Sequence, residues 1–260
     1  MDLKTEQRKR LSATVEWAAK IRRTLQPLLD AHGDRVHFRP SSNGVAMVSL
    51  LHDRPQRGKS GIKTLERIVR DFEVMFATHC RHVQHGRVTG EKALQSFLIR
   101  ESYRHGRRLE PINVASKRTS TAVELVFVTD EVPLPVATGK IVCDVLALRR
   151  DGGRCTPVLL ELKDDRMLTR LVEQVDSYAQ LVDEHAGLFA DLFGALLGEK
   201  IEFDAPTEKW IVWPGPVAGP DPREAELGAK GIRVVTYDER EGNYTVRVGA
   251  CIQALARDLA

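Results

Sequence analysis

The chain has 260 residues, 42% of them hydrophobic and 29% charged, which is the composition of an ordinary soluble globular protein. We expect no transmembrane segment, because no stretch approaches the roughly 18 apolar residues of a spanning helix. The opening residues MDLKTEQRKRLSA carry charge without an apolar run behind them, unlike a secretory signal. Cys80, Cys143, Cys155 and Cys251 are scattered without a C-x-x-C pair. These features predict a cytoplasmic protein with reduced thiols and no membrane partner.

The formal net charge of +3 conceals an asymmetry between the two halves of the chain. Residues 1–120 hold 24 Lys and Arg against 12 Asp and Glu, whereas residues 121–260 hold 15 against 24. A basic half of this kind indicates a polyanionic partner such as nucleic acid, although a basic face can also serve solubility alone. Charge by itself does not choose between these interpretations.

The N-terminal part of the chain is predicted to be a small α+β region. A helical stripe of apolar residues predicts a helix over residues 11–32, which Gly33 ends. Residues 35–39 and 45–51 have the pattern of two hairpin strands, separated by the turn-forming sequence PSSNG. A second helix is predicted over residues 62–82.

A boundary is predicted near residues 86–90, which divides the chain into a basic N-terminal region, residues 1–88, and a core, residues 89–260. Beyond this boundary, helices and strands follow one another in an order typical of an α/β fold. The predicted helices cover residues 91–103, 167–185 and 251–259, and the predicted strands cover residues 123–128, 140–148, 157–163, 209–213, 231–237 and 244–248.

The strand over residues 157–163 carries an acid and a base in an apolar context. Side chains alternate between the two faces of a strand, so Glu161 and Lys163 share a face with Leu159. The strand is apolar enough to be buried on both faces, and a buried charged side chain needs a specific reason to be there.

The preceding strand brings a second carboxylate toward the first. A two-residue turn at Asp151-Gly152 sets Asp144 opposite Leu159. Glu161 then lies diagonal to Asp144, with roughly 7–8 Å between their backbones. A loop longer by two residues sets Asp144 directly opposite Glu161, and either register places both carboxylates on one face. A loop of odd length would separate them.

Two carboxylates that converge at the end of a strand pair suit a hard cation, because Mg²⁺ prefers oxygen ligands. Such an ion activates a water molecule and neutralises charge on a phosphate during hydrolysis. The ammonium group of Lys163 is placed to steady the attacking hydroxide or the phosphate oxygens. On the following helix, Gln174 and Tyr178 are spaced i, i+4, so they share a face from which they could reach the strand ends.

Asp144, Glu161 and Lys163, followed by Gln174 and Tyr178, form the pattern D-x16-E-x-K and then Q-x3-Y. This pattern resembles that of the PD-(D/E)xK nuclease superfamily, closest to its RecB-like branch, over most of the second two-thirds of the chain. The resemblance implies a restriction-endonuclease-like mixed β-sheet flanked by helices. It also implies that Asp144 and Glu161 ligate metal, that Lys163 stabilises the nucleophile or developing charge, and that Gln174 and Tyr178 orient the site.

The same resemblance implies a third carboxylate ligand, since a glutamate on the first core helix of this family often binds the metal. Glu91 matches that position best, and Glu101, on roughly the same helical face, is the rival. Cys143 stands where the motif has proline, a departure that is frequent in the family.

A dense basic run follows the first core helix. These residues could hold a nucleic-acid backbone near the metal, or could simply be solvated cations at a helix C-terminus. They are Arg100, Arg104, Arg107, Arg108, Lys117 and Arg118.

We therefore expect a metal-dependent phosphodiesterase, a nuclease that hydrolyses DNA in preference to RNA with Mg²⁺ or Mn²⁺ as cofactor. One alternative is a non-catalytic nucleic-acid-binding protein on the same fold. Another is a protein-interaction module of a repair or defence complex. A homodimer or a protein partner is compatible with each. The sequence does not distinguish single strand from duplex, or endonuclease from exonuclease.

Overall fold

In a computed structural model, the chain forms a curled mixed β-sheet flanked by helices, against which an N-terminal α+β region packs. Within the residues that the structure describes, no helix combines the length and the apolar character needed to cross a membrane. The structure describes residues 2–50, 60–79, 90–117, 124–167, 170–216, 221–240 and 243–248.

The N-terminal region is a long helix followed by a hairpin and two short helices. The predicted hairpin is confirmed, since its two strands pair antiparallel. The elements are α1 (Leu3–His32), β1 (Val36–Ser41), β2 (Gly44–Ser49), α2 (Leu65–Arg70) and α3 (Phe72–His79).

Both predicted N-terminal helices differ from the observed ones at their ends. Helix α1 begins eight residues earlier than predicted, because Asp2 caps it by accepting a hydrogen bond from the backbone N–H of Thr5. The helix predicted over residues 62–82 is divided into α2 and α3 at Asp71, whose backbone is not helical.

The strands of the core pair both parallel and antiparallel. They are β3 (Glu124–Asp130), β4 (Leu134–Val136), β5 (Gly139–Ile141), β6 (Val145–Asp151), β7 (Arg154–Leu162), β8 (Glu208–Pro214), β9 (Ile232–Arg240) and β10 (Asn243–Val248). In the described part of the chain, six of them form the main sheet in the order β10-β9-β8-β7-β6-β3. Strands β7, β8 and β9 are parallel, and the others pair antiparallel.

Helices cover both faces of this sheet. The predicted helices over residues 91–103 and 167–185 are confirmed as α4 and α6, whereas α5, α7 and α8 were not predicted. The helix predicted over residues 251–259 lies outside the described residues. The elements are α4 (Gly90–Arg104), α5 (Glu110–Lys117), α6 (Leu171–Glu184), α7 (Ala186–Leu197) and α8 (Pro222–Ala229).

Strand β7 separates two hydrophobic layers, as its alternation predicted. Leu160 packs in a cluster with Leu98 of α4 on one face. Leu159 packs in a second cluster with Phe189 of α7 on the other face. The strand is therefore buried on both faces, which desolvates any polar side chain near its end.

The N-terminal region shares the core of the sheet. Leu11 and Ala18 of α1 belong to the same buried cluster as Phe189 of α7. Residues 80–89, where the boundary between the two regions was predicted, lie outside the described residues. Helix α1 thus joins the N-terminal residues to the sheet through apolar contacts.

The hairpin tip gives a test of this packing. Gly44 has φ +132°, and a Cβ there would lie 2.7 Å from the carbonyl oxygen of Ile62, whereas Gly139 has φ +131° and no atom within 4 Å. We expect Gly44→Ala and Gly139→Ala to share a backbone strain of about 1–3 kcal/mol. Gly44→Ala should lose more stability, because its methyl group also meets Ile62. Urea unfolding measures both losses, and equal losses would contradict the contact.

Candidate active site

The turn between β6 and β7 determines which residues face each other near the site. The turn is formed by Gly152-Gly153, both with positive φ, rather than by Asp151-Gly152. Leu146 lies opposite Leu159, so the register that placed Asp144 opposite Leu159 is wrong. Val145 lies opposite Leu160, and continuing this pairing by one residue gives the alternative register, with Asp144 opposite Glu161. A two-residue hairpin turn of this kind needs positive φ at both central positions, which glycine adopts without strain.

Asp144 lies immediately before β6. The strand predicted over residues 140–148 is interrupted, because β5 ends at Ile141 and β6 begins at Val145. The backbone N–H of Leu162 donates to Asp144 Oδ2 at 3.0 Å. This bond ties the Asp144 carboxylate to the end of β7, and Asp144 and Glu161 line the same cleft.

Glu161 is almost completely buried at the end of β7, with 4% of its surface exposed. Its Oε1 accepts hydrogen bonds from Lys163 Nζ at 2.9 Å and from Gln174 Nε2 at 2.7 Å. Burial, together with the nearby charge of Asp144, raises the pKa of Glu161 to about 7, although Lys163 acts to lower it. The Glu161 carboxyl group is therefore harder to ionise than an exposed one, even with Lys163 beside it.

Glu91 joins these groups from the first turn of α4. Its Oε1 lies 3.4 Å from Lys163 Nζ, and burial raises the pKa of Glu91. Glu101, the rival candidate, lies ten residues further along α4, about 15 Å along the helix axis. It pairs with Arg104 and lines a separate pocket of about 340 Å³. The structure thus brings Glu91, and not Glu101, to the cleft.

Lys92 is a site residue that the sequence analysis missed. Its Nζ lies 3.1 Å from Asp144 Oδ1 and 2.8 Å from Glu131 Oε1. It also donates to Gln95 Oε1 at 3.0 Å. Lys92 therefore pairs with Asp144 and connects it to Glu131, which follows β3.

The predicted metal ligands line one cleft but do not form a ready ligand group. In the part of the chain that the structure describes, no three His, Cys, Asp or Glu side chains are placed so that they could hold a metal ion. Lys92 holds Asp144, and Lys163 lies between Glu91 and Glu161. A cation bound by these carboxylates would have to replace contacts that the two lysines now make.

The hydrogen-bonded groups nevertheless carry an excess of negative charge. Five carboxylates are joined to three basic side chains, which leaves two negative charges when all of them are ionised. Lys140 lines the same cleft, but it is exposed to solvent. The oxygen donors and this excess both suit a divalent cation. The carboxylates are Asp130, Glu131, Asp144, Glu91 and Glu161, and the basic groups are Arg39, Lys92 and Lys163.

Tyr178 is not exposed in the cleft, although it shares a helical face with Gln174. Its side chain is buried and its hydroxyl donates to the carbonyl oxygen of Val132 at 2.8 Å. Tyr178 therefore anchors the backbone that follows β3, whereas Gln174 contacts Glu161 directly.

None of the described residues of the predicted basic run lines the cleft. Arg104 is thirteen residues beyond Glu91 on α4, about 20 Å along its axis. Arg104 pairs with Glu101, and Arg107 lies 4.7 Å from the ring of Tyr103. Arg100 lies near Glu101, Arg108 pairs with Glu110 and Glu124, Lys117 is exposed in the last turn of α5, and Arg118 lies outside the described residues.

The second wall of the cleft comes from the N-terminal hairpin, which the sequence analysis assigned to a separate region. The cleft has a volume of about 710 Å³. Residues of β1, β2 and their turn line it opposite the carboxylates, namely Arg39, Ser41, Asn43, Ala46 and Val48. The other face of the hairpin, with Phe38 and Met47, packs against α1 and α2.

A buried ionic cluster joins this hairpin to β3. Arg39 Nε donates to Asp130 Oδ1 at 2.8 Å, and its NH1 donates to Glu131 Oε2 at 2.5 Å. His37 Nε2 lies 2.9 Å from the same Asp130 oxygen. Burial opposes ionisation of Asp130, but Arg39 and His37 together overcome it and hold the pKa of Asp130 well below its usual range. Burial lowers the pKa of His37, so it is neutral at pH 7.

A sequence signal for this cluster was present in β1. His37, Arg39 and Ser41 alternate with the apolar residues Val36 and Phe38. Such alternation predicts one polar face. A polar face normally indicates solvent, and nothing in the sequence shows that it faces Asp130, which is 91 residues beyond Arg39.

Comparison of the chain with family models, with curated proteins and with solved structures found no match in any of the three.

The raised pKa of Glu161 predicts a pH-dependent stability. A carboxyl group that titrates near 7 when folded and near 4.5 when unfolded binds more protons in the folded state between these values. Folding stability is therefore lost as pH rises through that interval. Glu161→Gln removes this loss. The free energy of unfolding of the variant minus that of the wild type should therefore increase from pH 5 to pH 8, by on the order of 1–3 kcal/mol.

Denaturant unfolding at both pH values measures this gain. Glu226→Gln, which removes a half-exposed carboxylate paired with Lys230 on α8, is the matched control. A difference between Glu161→Gln and the wild type that stays constant from pH 5 to pH 8 would contradict the assignment.

Proposed function

We propose that this chain is a metal-dependent phosphodiesterase, a nuclease of the PD-(D/E)xK type that hydrolyses DNA. The observation that carries the proposal is the meeting of Glu91, Asp144, Glu161 and Lys163 in one cleft at the end of β7. The restriction-endonuclease-like arrangement belongs to the same proposal. A mixed sheet flanked by helices, with the motif carboxylates at adjacent strand ends, supports it.

Glu91, Asp144 and Glu161 would hold Mg²⁺ or Mn²⁺. Their oxygens are ligands of the type these ions prefer, and the negative excess around Glu161 favours a cation. A bound divalent ion supplies an activated water molecule and neutralises charge on the phosphate. Gln174 restricts the Glu161 side chain by donating to Oε1, so the carboxylate keeps its orientation toward the cleft.

Lys163 would supply positive charge at the reacting phosphate. Its side chain is partly buried, which strengthens its electrostatic interactions relative to those of a solvated lysine. Its contacts with Glu91 and Glu161 keep it protonated, and the pKa of Lys163 is raised mainly by Glu161 against the effect of burial. Lys163 is thus suited to stabilise negative charge and not to accept a proton.

The substrate would enter between the carboxylates and the hairpin. Arg39 and Lys140 line this cleft and suit a phosphate backbone. Arg104 and Lys117, which lie further along the molecule, are candidates for contacts outside it. The basic character of the N-terminal half supports a polyanionic substrate.

One observation favours a second candidate, a nucleic-acid-binding protein without catalysis. Each predicted metal ligand already contacts a lysine, Lys92 or Lys163. If these pairs persist when divalent ions are present, the cleft would bind a polyanion and not cut it. Such binding should weaken steeply as salt rises.

We expect the wild type to cut labelled single-stranded DNA, duplex DNA or both in Mg²⁺ or Mn²⁺, to cut RNA less, and not to cut in EDTA. Asp144→Ala removes a metal ligand and Lys163→Ala removes the cation beside the phosphate. Each should reduce cleavage by about 100-fold or more.

Asp176→Ala and Lys209→Ala provide matched controls. These residues form a 2.7 Å ion pair outside the cleft, so both variants should cut at the wild-type rate. Cutting that persists in Asp144→Ala would reject this centre. Salt-sensitive binding without cutting on any of the substrates would support the second candidate.

A further inference from the structure

We propose that Arg39 of the N-terminal hairpin is a positioning residue for the candidate active site, acting on Asp144 from a distance. As a statement about catalysis the inference rests on the proposed function. As a statement about geometry it rests on two chains of contacts that run from Arg39 to Asp144, one through Glu131 and Lys92 and one through Asp130 and Gln95. Neither chain includes a residue of the sequence motif other than Asp144 itself.

The first chain reaches the carboxylate of Asp144. Arg39 NH1 donates to Glu131 Oε2 at 2.5 Å, and Glu131 Oε1 lies 2.8 Å from Lys92 Nζ. Lys92 Nζ then lies 3.1 Å from Asp144 Oδ1. Arg39 and Glu131 are both about nine-tenths buried, so water screens these charges weakly.

The second chain reaches the backbone of Asp144. Arg39 Nε and NH2 both donate to the carboxylate of Asp130, which is 1% exposed. Gln95 Nε2 lies 3.4 Å from Asp130 Oδ2 and donates to the carbonyl oxygen of Asp144 at 2.7 Å. The two chains therefore fix the side chain and the main chain of the same residue.

The conformation of Glu131 indicates that the first chain is imposed by the surroundings. Glu131 has φ +42°, a region that non-glycine residues seldom adopt. Its backbone N–H donates to the carbonyl oxygen of Cys143 at 3.1 Å, next to Asp144. Residues held in such a conformation cluster at functional sites because the surrounding contacts keep them there. Here those contacts are the backbone hydrogen bond to Cys143 and the side-chain contacts with Arg39 and Lys92.

Arginine is suited to this role in a way that lysine is not. Its planar guanidinium donates to Asp130 and to Glu131 at the same time. A lysine keeps the charge but has a single ammonium group, so it cannot reproduce the fork. Arg39→Lys therefore changes the geometry of the cluster while leaving its net charge the same.

The test measures Asp144 directly through its hydrogen bond with the Leu162 amide, and Mn²⁺ binding through calorimetry. In Arg39→Lys we expect a changed chemical shift and faster hydrogen exchange of the Leu162 amide, and Mn²⁺ affinity about 10-fold weaker. The matched control is Arg35→Lys. Arg35, which precedes β1, makes a similar forked contact with Glu73 of α3, at 3.0 and 3.2 Å, where both side chains are more exposed than those of Arg39 and Glu131.

Glu131→Gln breaks the first chain without altering Arg39. It tests the positioning of Asp144 even if Arg39→Lys does not fold. It should reproduce the change at Leu162, and Arg35→Lys should not. An unchanged Leu162 amide in a folded Arg39→Lys or Glu131→Gln protein would overturn the inference. A changed Leu162 amide in a protein whose wild type neither binds Mn²⁺ nor cuts DNA would leave the positioning role intact and reject the proposed function.

Discussion

The burial of a carboxylate at the end of β7 is the constraint on which the rest of the site depends. Glu161 follows residues packed on both faces of the sheet, so its charge loses the solvation that it would have at a surface. Compensating groups must therefore come from neighbouring elements. Gln174 ties α6 to the carboxylate, and Lys163 ties it to Glu91 and so to α4. The position of these helices at this strand end and the chemistry of the site have the same cause.

Asp144 also requires positive charge nearby, and the contacts that supply it extend to the N-terminal hairpin. The negative charges of Asp144 and Glu161 oppose each other, and Lys163 alone does not balance them. Lys92 supplies the next positive charge and is itself shared with Glu131. Glu131 in turn requires Arg39 from the hairpin. Each charged group in this series is thus paired with another of opposite sign. The resulting chain of contacts runs from the sheet to the N-terminal region.

The sequence predicted which side chains meet in the cleft where local periodicity determines their direction. The alternation of side chains along β7 predicted which face of the strand carries Glu161. The i, i+4 spacing on α6 predicted that Gln174 could reach the end of that strand. Spacing did not show that Tyr178 is buried, because that depends on packing against Phe189 of an unpredicted helix.

The position of the turn was predicted wrongly, although a rule for it exists. Gly152 and Gly153 both tolerate the positive φ that such a turn needs, whereas Asp151 does not adopt it as readily. The cluster of Arg39 with Asp130 and Glu131 could not be predicted, because those residues meet only through tertiary packing. The alternation of polar residues in β1 is visible in the sequence, but the sequence does not show which residues its polar face contacts.

The acidic excess of the cluster bears on the choice between cutting and mere binding. A cleft that only binds a polyanion gains from net positive charge. Here the hydrogen-bonded groups of the cleft have net negative charge, with two uncompensated carboxylates. The folded chain can relieve that excess by holding a proton, as the pKa of Glu161 near 7 indicates, or by binding a divalent cation. A proton removes one of the two excess charges and leaves the other facing the phosphate of a substrate. A divalent cation removes both and attracts the phosphate, so the electrostatic imbalance that costs folding free energy would be relieved by the ion that the proposed reaction requires.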